Sequence, residues 1–352
     1  ATPRIVVDAM GGDYGVKVVV SGAVAAARQL GDSARIVCAG DAGQIEAQLE
    51  RESAAGLAID VVHAPDNIGM DEAPAAAIRR KKDSSIVVGA GLLRDGQAEA
   101  FVSAGSTGAV TAASTLVIGR LPGVRRPGIA ALIPTASGVT LLLDVGANSD
   151  AKPAHLLQFA GMGRIYSRSV LGVADPKVGI LNIGEERGKG NDLTQEAWDL
   201  LDAHEPGFVG NIEGKHFFAG GADVVVCDGF TGNVVLKILE SFGGFLASSF
   251  REEISGDWRA KLGAGILRPA LKQYARRFNY VEYGGAPLLG CNGLVMISHG
   301  GSSSEAIRNA VLAADRGVRD EISRKIRDEI EREQQELDAD PDGTTAMEGT
   351  PR

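Results

Sequence analysis

Short apolar runs alternate along this chain with glycine-containing polar clusters and with stretches of helical periodicity. Runs at Arg4 to Ala9, Arg35 to Ala39, Leu57 to Val62, Ala100 to Ala104, Lys177 to Ile183, Ala222 to Cys227 and Leu294 to Ser298 have the length of buried parallel strands. Gly128 to Pro134 and Val139 to Leu143 read as a strand pair joined by a polar turn, a candidate hairpin. Phe208-Val209 begins a further short strand, from which Asn211 to Gly214 turns away. Helical spacing covers Val16 to Leu30, the residues from Gly40-Asp41 to Glu52, and Asp71 to Arg94 as one or two helices. The basic break Arg79 to Lys82 in the last of these reads as a solvated face. Asp192-Leu193-Thr194 caps another helix, and Thr231-Gly232-Asn233 opens one that begins at Val234. That helix runs to about Ile254, and a second covers Asp257 to Tyr280. The Ser255-Gly256 break makes them an αα-hairpin, and Pro269 starts or kinks its second arm. Gly284 to Gly293 reads as a loop and Ser304 to Leu337 as one helix. Residues 1–337 form a single α/β domain on this reading, and the Gly/Pro/Thr-rich tail 338–352 is expected to be disordered.

Composition narrows the classes. Hydrophobic residues make up 44% of the 352 residues and aromatics only 5%, so the core is aliphatic. The net charge of −9 argues against a nucleic-acid partner, since phosphate-backbone affinity comes from Lys and Arg. Cys38, Cys227 and Cys291 lie in or beside apolar runs and fit a reduced, cytoplasmic compartment. No apolar stretch reaches the roughly 20 residues of a membrane span, and the first residues enter a strand without a signal peptide.

Five apolar runs end in Gly with Asp, Asn, Ser, Thr or His: MGGD, GSTG, DVGAN, DGFTGN and SHGGS. In an open parallel sheet these ends share one edge, where ligands bind. Backbone amides at helix starts favour an anion there. For each turn taken alone, a tight βα connection needing glycine or a cap explains the residues equally well. Lys152 stands beside a helix start, which the helix dipole disfavours unless an anion lies between them. The chain has no dinucleotide fingerprint, no P-loop and no zinc spacing.

The segment Trp258 to Tyr280 carries Arg259, Lys261, Arg268, Lys272, Arg276 and Arg277 and no acidic residue. Leu262, Ile266, Leu267, Leu271, Tyr274 and Phe278 give it an apolar stripe at helical spacing. Two readings stand: a helix packed on the core with a solvated basic face, or a surface arm meeting an anionic membrane or an acidic protein.

The motifs VDAMGGD, VSAGSTGA, RPGIAALIPT, LDVGAN-x-D-x-KP, LNIGEE-x-GKGND, FVGNIEG, ADVVVCDGFTGNVVLK, YGGAPLLG-x-NG and SHG-x-S occur in order from about Ile5 to Ala313. In this the chain resembles the phosphate acyltransferase (PlsX) family of bacterial phospholipid synthesis. The resemblance implies transfer of a long-chain acyl group from acyl carrier protein to inorganic phosphate, giving acyl phosphate. It implies a homodimer, and a Rossmann-like α/β/α sandwich similar to isocitrate and isopropylmalate dehydrogenases and phosphotransacetylases, with a protruding helical hairpin. It implies no cofactor and no metal. Val16 departs from the family pattern, where Pro often stands.

A thioester is already activated and phosphate supplies its own nucleophile, so the protein need only hold two anions and stabilise an oxyanion. On this basis Thr231, Gly232 and Asn233, with Gly11 and Gly12, are expected to cradle phosphate. Lys152 and Lys189 would balance its charge, and Asn148 would orient the thioester carbonyl or the oxyanion. Asp8, Asp13 and Asp228 would orient donors, and Ser106, Thr107 and Asn191 complete the polar set. His299 is a candidate to protonate the leaving thiolate, with a core or capping role as its alternative. An acyl-cysteine intermediate is disfavoured by the apolar setting of each thiol. The basic arm, with Trp258, is expected to dock the acidic carrier protein or the membrane surface, directly or through a membrane acyltransferase. Other readings are a phosphotransacetylase-like enzyme acting on short acyl-coenzyme A thioesters, and a non-enzymatic scaffold using the arm alone.

Overall fold

The computed structural model describes residues 2–256, 258–277 and 284–339, and the side chains of Trp258, Lys272, Arg276 and Arg277 lie outside the described residues. Strands β1 (Arg4–Asp8), β2 (Arg35–Gly40), β3 (Ile59–His63) and β4 (Ala100–Ser103) alternate with helices α1 (Gly15–Leu30), α2 (Ala42–Arg51), α3 (Pro74–Arg80) and α4 (Ser85–Arg94). After α5 (Thr107–Ala113) come β5 (Gly128–Thr135), β6 (Gly138–Leu143), α6 (Pro153–Val170), β7 (Val178–Asn182) and α7 (Asp192–His204). Then follow β8 (Phe208–Glu213), α8 (Gly214–Phe217), β9 (Val224–Val226) and the long helix α9 (Gly229–Gly256). The chain ends with α10 (Trp258–Arg277), β10 (Ala286–Leu289), β11 (Leu294–Ile297), α11 (Ser304–Arg319) and α12 (Ile322–Ala339).

All eleven strands form one sheet in the order β3-β2-β1-β4-β11-β10-β5-β6-β9-β7-β8. One face carries a core that runs the whole width of the sheet, from Val37 and Phe101 through Ile129 and Leu142 to Val225 and Ile212. The other face carries two cores. Val20, Val24, Ile307 and Val311 of α1 and α11 pack on Ile5, Val7 and Met296. Leu157, Phe159, Leu200 and Ile326 of α6, α7 and α12 pack on Leu141, Leu143 and Val178. The architecture is the expected α/β/α sandwich, with fully buried strands flanked by helices.

The sheet is mixed rather than parallel. Strand β10 runs antiparallel to both β11 and β5, and β5 antiparallel to β6, the expected hairpin. Strand β10 falls in the stretch Gly284 to Gly293 that reads as a loop. Its four residues lie between Gly285 and Gly290, both at positive φ, and pairing to two neighbours rather than local periodicity makes it a strand. These reversals have a direct consequence for the five turns. Strands β1, β4 and β11 leave the sheet at one edge, while β6, β9 and β7 leave it at the opposite edge. The expectation of a single shared edge holds only within each group.

Other boundaries differ for local reasons. Strand β8 extends through the residues expected to turn away, because Asn211, Ile212 and Glu213 pair with β7. The helix expected over Ser304 to Leu337 breaks at Asp320-Glu321, where Glu321 takes φ +53°. Helix α12 reaches Ala339, two residues into the stretch expected to be disordered, and the tail beyond it lies outside the described residues. Pro269 sits inside α10 rather than at its start. The basic break at the end of α3 is a solvated face, as expected, with Arg79, Arg80 and Lys82 exposed. Arg80 and Lys81 close on Glu72 at 2.7 and 2.6 Å.

Candidate active site

At the end of β6, the carboxylate of Asp144 accepts hydrogen bonds from the backbone N–H groups of Ile129, Gly146, Ala147 and Asn148 and from Asn148 Nδ2. The turn is therefore an anion nest, and the anion it holds is the protein's own. Burial pushes the Asp144 carboxyl above the usual range, and the donors from Ala147, Asn148 and Ile129 oppose that. Asn148, expected to donate to the substrate, spends both amide protons internally: Nδ2 bonds Asp144 at 2.9 Å and the carbonyl of Pro127 at 2.7 Å. It positions the loop rather than the oxyanion.

Helix α9 begins five residues earlier than its apolar pattern suggests, because Asp228 rather than Thr231 is the cap. Asp228 accepts from Thr231 N at 2.9 Å and from Thr231 Oγ1 at 2.6 Å, so the threonine hydroxyl proton is also spent. Gly229 N donates to the carbonyl of Asn148 at 2.7 Å. Gly232 is buried, and a Cβ there would stand 1.9 Å from the Asp144 carbonyl oxygen. Close packing thus accounts for this glycine without a ligand.

The polar groups left facing solvent at this edge are side chains. Lys152, Asn233 and Lys189 are exposed. So is Arg126, which carried no assignment in the sequence reading. Its segment docks on α6 through Arg125 N to Gln158 Oε1 (2.8 Å) and Gln158 Nε2 to Gly123 O (3.0 Å). His155, in the first turn of α6, accepts from Lys152 N at 3.1 Å through Nδ1. Burial first, then the charges of Arg126, Arg125 and Lys152, hold its imidazole down to about 4. The signal for Arg126 was present in RPGIAALIPT, but only the β5–β6 pairing brings that motif beside DVGAN. In the turn after β7, Asn191 caps α7 by accepting from Thr194 N at 3.0 Å.

The opposite edge repeats the pattern. Asp8 is buried at the end of β1 and accepts from Ser103 Oγ at 2.6 Å and Met10 N at 3.2 Å; burial raises its pKa and these bonds oppose the rise. A Cβ on Gly11 would meet Gly105 N at 2.6 Å and Asp8 Oδ2 at 2.7 Å. Asp13 N donates to Gly300 O, and Gly12 packs on the same carbonyl. Ser106 caps α5, and Thr107 is exposed beside it. His299 is exposed, with Nδ1 accepting from Gly301 N at 3.1 Å. Asp8, Gly11, Gly12, Asp13, Ser106, Thr107 and His299 therefore gather together. Within one chain they are separated by the strand reversal from Asn148, Lys152, Lys189, Asn191, Asp228, Thr231, Gly232 and Asn233.

The described residues of the hairpin of α9 and α10 bear on the packed-helix reading of the basic arm. Ile266 is 74% exposed, with Leu262 and Leu267 exposed beside Arg259, Lys261 and Arg268, so among the described residues the apolar stripe is not packed on the core; the side chains of Leu271, Tyr274 and Phe278 lie outside them. No helix among the described residues is long and apolar enough to cross a membrane. No cluster of three or more His, Cys, Asp or Glu residues that could hold a metal ion occurs among them.

The family model described as "Fatty acid synthesis protein" matches residues 3–325. A phosphate acyltransferase of Pelotomaculum thermopropionicum is 50% identical over 328 residues, covering 93% of this chain and 95% of the relative. One from Geobacter sulfurreducens is 47% identical over 330 residues, covering 94% and 95%. Among solved structures, a phosphotransacetylase from Streptococcus pyogenes superimposes with a TM-score of 0.60 at 18% identity, covering 90% of this chain and 93% of its own. The EutD phosphotransacetylase from Staphylococcus aureus gives 0.55 at 18% identity, covering 90% and 94%. At that identity the likeness shows the fold alone, and it agrees with the sandwich described above. With half the residues identical across nearly the whole length of both chains, this chain belongs to the phosphate acyltransferase (PlsX) family.

Proposed function

We propose that this protein transfers a long-chain acyl group from acyl carrier protein to inorganic phosphate, at the edge of the sheet where β6 and β9 end. The observation that carries the reading is the pair of exposed cations, Lys152 at the start of α6 and Arg126 before β5, both acting on His155 beside a turn whose inner donors are taken by Asp144. Phosphate binds to these side chains and to Asn233, with Lys189 adding charge from the β7 turn. A phosphate oxygen attacks the thioester carbonyl, the C–O bond forms, the C–S bond breaks, and the phosphate proton passes through solvent to the departing thiolate. Asp144, Asn148, Asp228 and Thr231 act as positioning residues. Orientation of this kind supplies up to about 7–11 kcal/mol of the barrier.

The assembly is a homodimer in this proposal, its second copy lying along α9 and covering exposed Phe242, Phe245, Leu246 and Phe250. The arm formed by α10 offers Arg259, Lys261 and Arg268 to the acidic carrier protein and to the anionic membrane surface. The protein then works in the cytoplasm, peripherally bound to the membrane.

Incubation with phosphate and either palmitoyl-carrier protein or acetyl-coenzyme A, trapping acyl phosphate as the hydroxamate, tests the activity. Product from the carrier-protein thioester supports the proposal. Product from acetyl-coenzyme A alone would replace it with the phosphotransacetylase reading.

A further inference from the structure

The β7 turn that carries Lys189 is fastened by side-chain amides. Asn182, the last residue of β7, donates through Nδ2 to the carbonyl of Lys189 at 3.1 Å and to Asn211 Oδ1 at 3.0 Å. Its own Oδ1 accepts from Ile183 N at 2.8 Å. Asn211, in β8 and 8% exposed, passes its Nδ2 to the carbonyl of Glu186 at 2.8 Å. Gln195, in the first turn of α7, donates to the carbonyls of Gly188 and Gly190 at 3.1 and 3.3 Å. Four carbonyls between Glu186 and Gly190 thus turn inward onto three amides. The fit is close: Gly190 takes φ +97°, and a Cβ there would stand 2.1 Å from Thr194 Oγ1 and 2.5 Å from Asn182 Oδ1. The turn has two cations. Arg187 is engaged on α7, lying 4.4 Å over the Trp198 ring and bonding Asp199 at 2.5 Å. Lys189 is exposed, and its stem crosses Gly184 beside the carboxylate of Glu186. Leu143, Val226 and Ile180 stand side by side across β6, β9 and β7. The turn therefore leaves the sheet close to the level of the Asp144 turn, two strand spacings or about 10 Å away.

We propose that the Asn182–Asn211 amide pair aims Lys189 at the phosphate, which makes Asn211 a positioning residue of the transfer site; the inference rests on the acyl-transfer reading above. Both asparagines act through the backbone of the turn. Aspartate cannot replace either of them, because a carboxylate has no proton for the Glu186 or Lys189 carbonyl and would set oxygen against oxygen. An aliphatic residue at Asn211 leaves the Glu186 carbonyl without its amide partner. That loosens the turn rather than the sheet, since β8 keeps its pairing to β7 through Ile212 and Glu213.

In the full chain, Asn211→Leu is expected to raise KM for phosphate about fivefold, while kcat and KM for palmitoyl-carrier protein stay within about twofold. Asn211→Asp, equal in shape but with no proton to donate, should do the same, and it carries the test if the leucine variant does not fold. Lys189→Ala should raise KM for phosphate by a similar factor, and adding Asn211→Leu to it should cost nothing further, because the asparagine acts through the lysine. Fully additive losses would overturn the proposal, as would a fall in kcat with KM for phosphate unchanged. Acetylation of Lys189 by acetic anhydride, read by mass spectrometry, needs no turnover. Inorganic phosphate should protect Lys189 in the parent, and about fivefold more phosphate should be required in the Asn211 variants. Equal protection in parent and variants, or none in the parent, overturns the positioning role. Absence of acyl phosphate from the parent with every thioester would strike the acyl-transfer reading instead, and the protection measurement still decides whether Asn211 aims Lys189.

Discussion

The carbonyl oxygen of Asn148 accepts the amide proton of Gly229 at 2.7 Å. This single bond ties the turn after β6 to the first turn of α9, and Asn148 in turn holds the Pro127 carbonyl. Hydrogen bonds therefore join three segments distant in sequence, which carry Arg126, Lys152 and Asn233.

Gly232→Ala should destabilise the protein by about 2–4 kcal/mol, because its Cβ would stand 1.9 Å from a backbone oxygen that cannot retreat. Gly91→Ala, in α4 with open space around it, should be neutral or stabilising by up to about 1 kcal/mol. Urea unfolding of both variants checks this; equal stabilities would mean the β6–α9 packing is looser than described.

Lys152→Ala should lower kcat/KM for phosphate about 10²-fold, with partial recovery in Lys152→Arg. Arg126→Ala should cost about tenfold, mostly in KM for phosphate. His299→Ala should stay within about threefold, less than 1 kcal/mol, since the chain carries it to the other edge of the sheet. Steady-state kinetics at varied phosphate concentration decides among these. A large loss in His299→Ala alone would move the reaction centre to the β1–β4–β11 edge.

Glu333 is buried against Gly161 beside the Arg164 ion pairs to Glu205 and Glu329. Burial, then the charges of Glu329 and Glu205, pushes its carboxyl from the ordinary 4.5 up to about 8. Between those values the native state holds a proton that the unfolded state has released. Glu333 therefore makes stability fall as pH rises through that window, and the loss levels off above about pH 8. Glu333→Gln removes this penalty. At pH 8 it should unfold with a free energy higher than its parent by about 2–4 kcal/mol, and near pH 4.5 the two should coincide. Parallel denaturant titrations at the two pH values read the difference directly.

The three cysteines are buried, and burial pushes the thiols of Cys38 and Cys291 up to about 12 and that of Cys227 well above its ordinary value. At pH 8 the thiolate fraction of the first two is about 10⁻⁴. Iodoacetamide should leave the native enzyme active, and Cys227→Ser should turn over within about twofold of the parent. Rapid inactivation matched by labelling of Cys227 would reopen a covalent route.

The strands flanked by glycine turns were legible because each is an uninterrupted aliphatic run. Strand β10 was not, since its four residues become a strand only between β11 and β5. That same pairing reverses the sheet, which is why the five polar turns were read as one site and prove to be two groups. The polar side chains of Asp8 and Asn148 were visible in the sequence; that Asp8 accepts from Ser103 and that Asn148 donates to Pro127 depends on partners far away in sequence. In the Asp144 nest the donors Gly146, Ala147 and Asn148 are local, and only the Ile129 bond, like the placing of the Arg126 segment beside this turn, depends on the pairing of β5 with β6.

Strand β11 is threaded between β4 and β10, although the chain reaches it only at Leu294. During synthesis β4, made of buried Ala100, Phe101, Val102 and Ser103, has β1 on one side and nothing on the other until the last third of the protein emerges. At about 5–20 residues per second the ribosome takes roughly 10–40 s to supply the missing strand. For that interval the nascent chain displays an apolar, unpaired edge of the kind that recruits chaperones or neighbouring chains. Stalled-ribosome force measurements should register the closing of this half of the sheet only after β11 has cleared the exit tunnel.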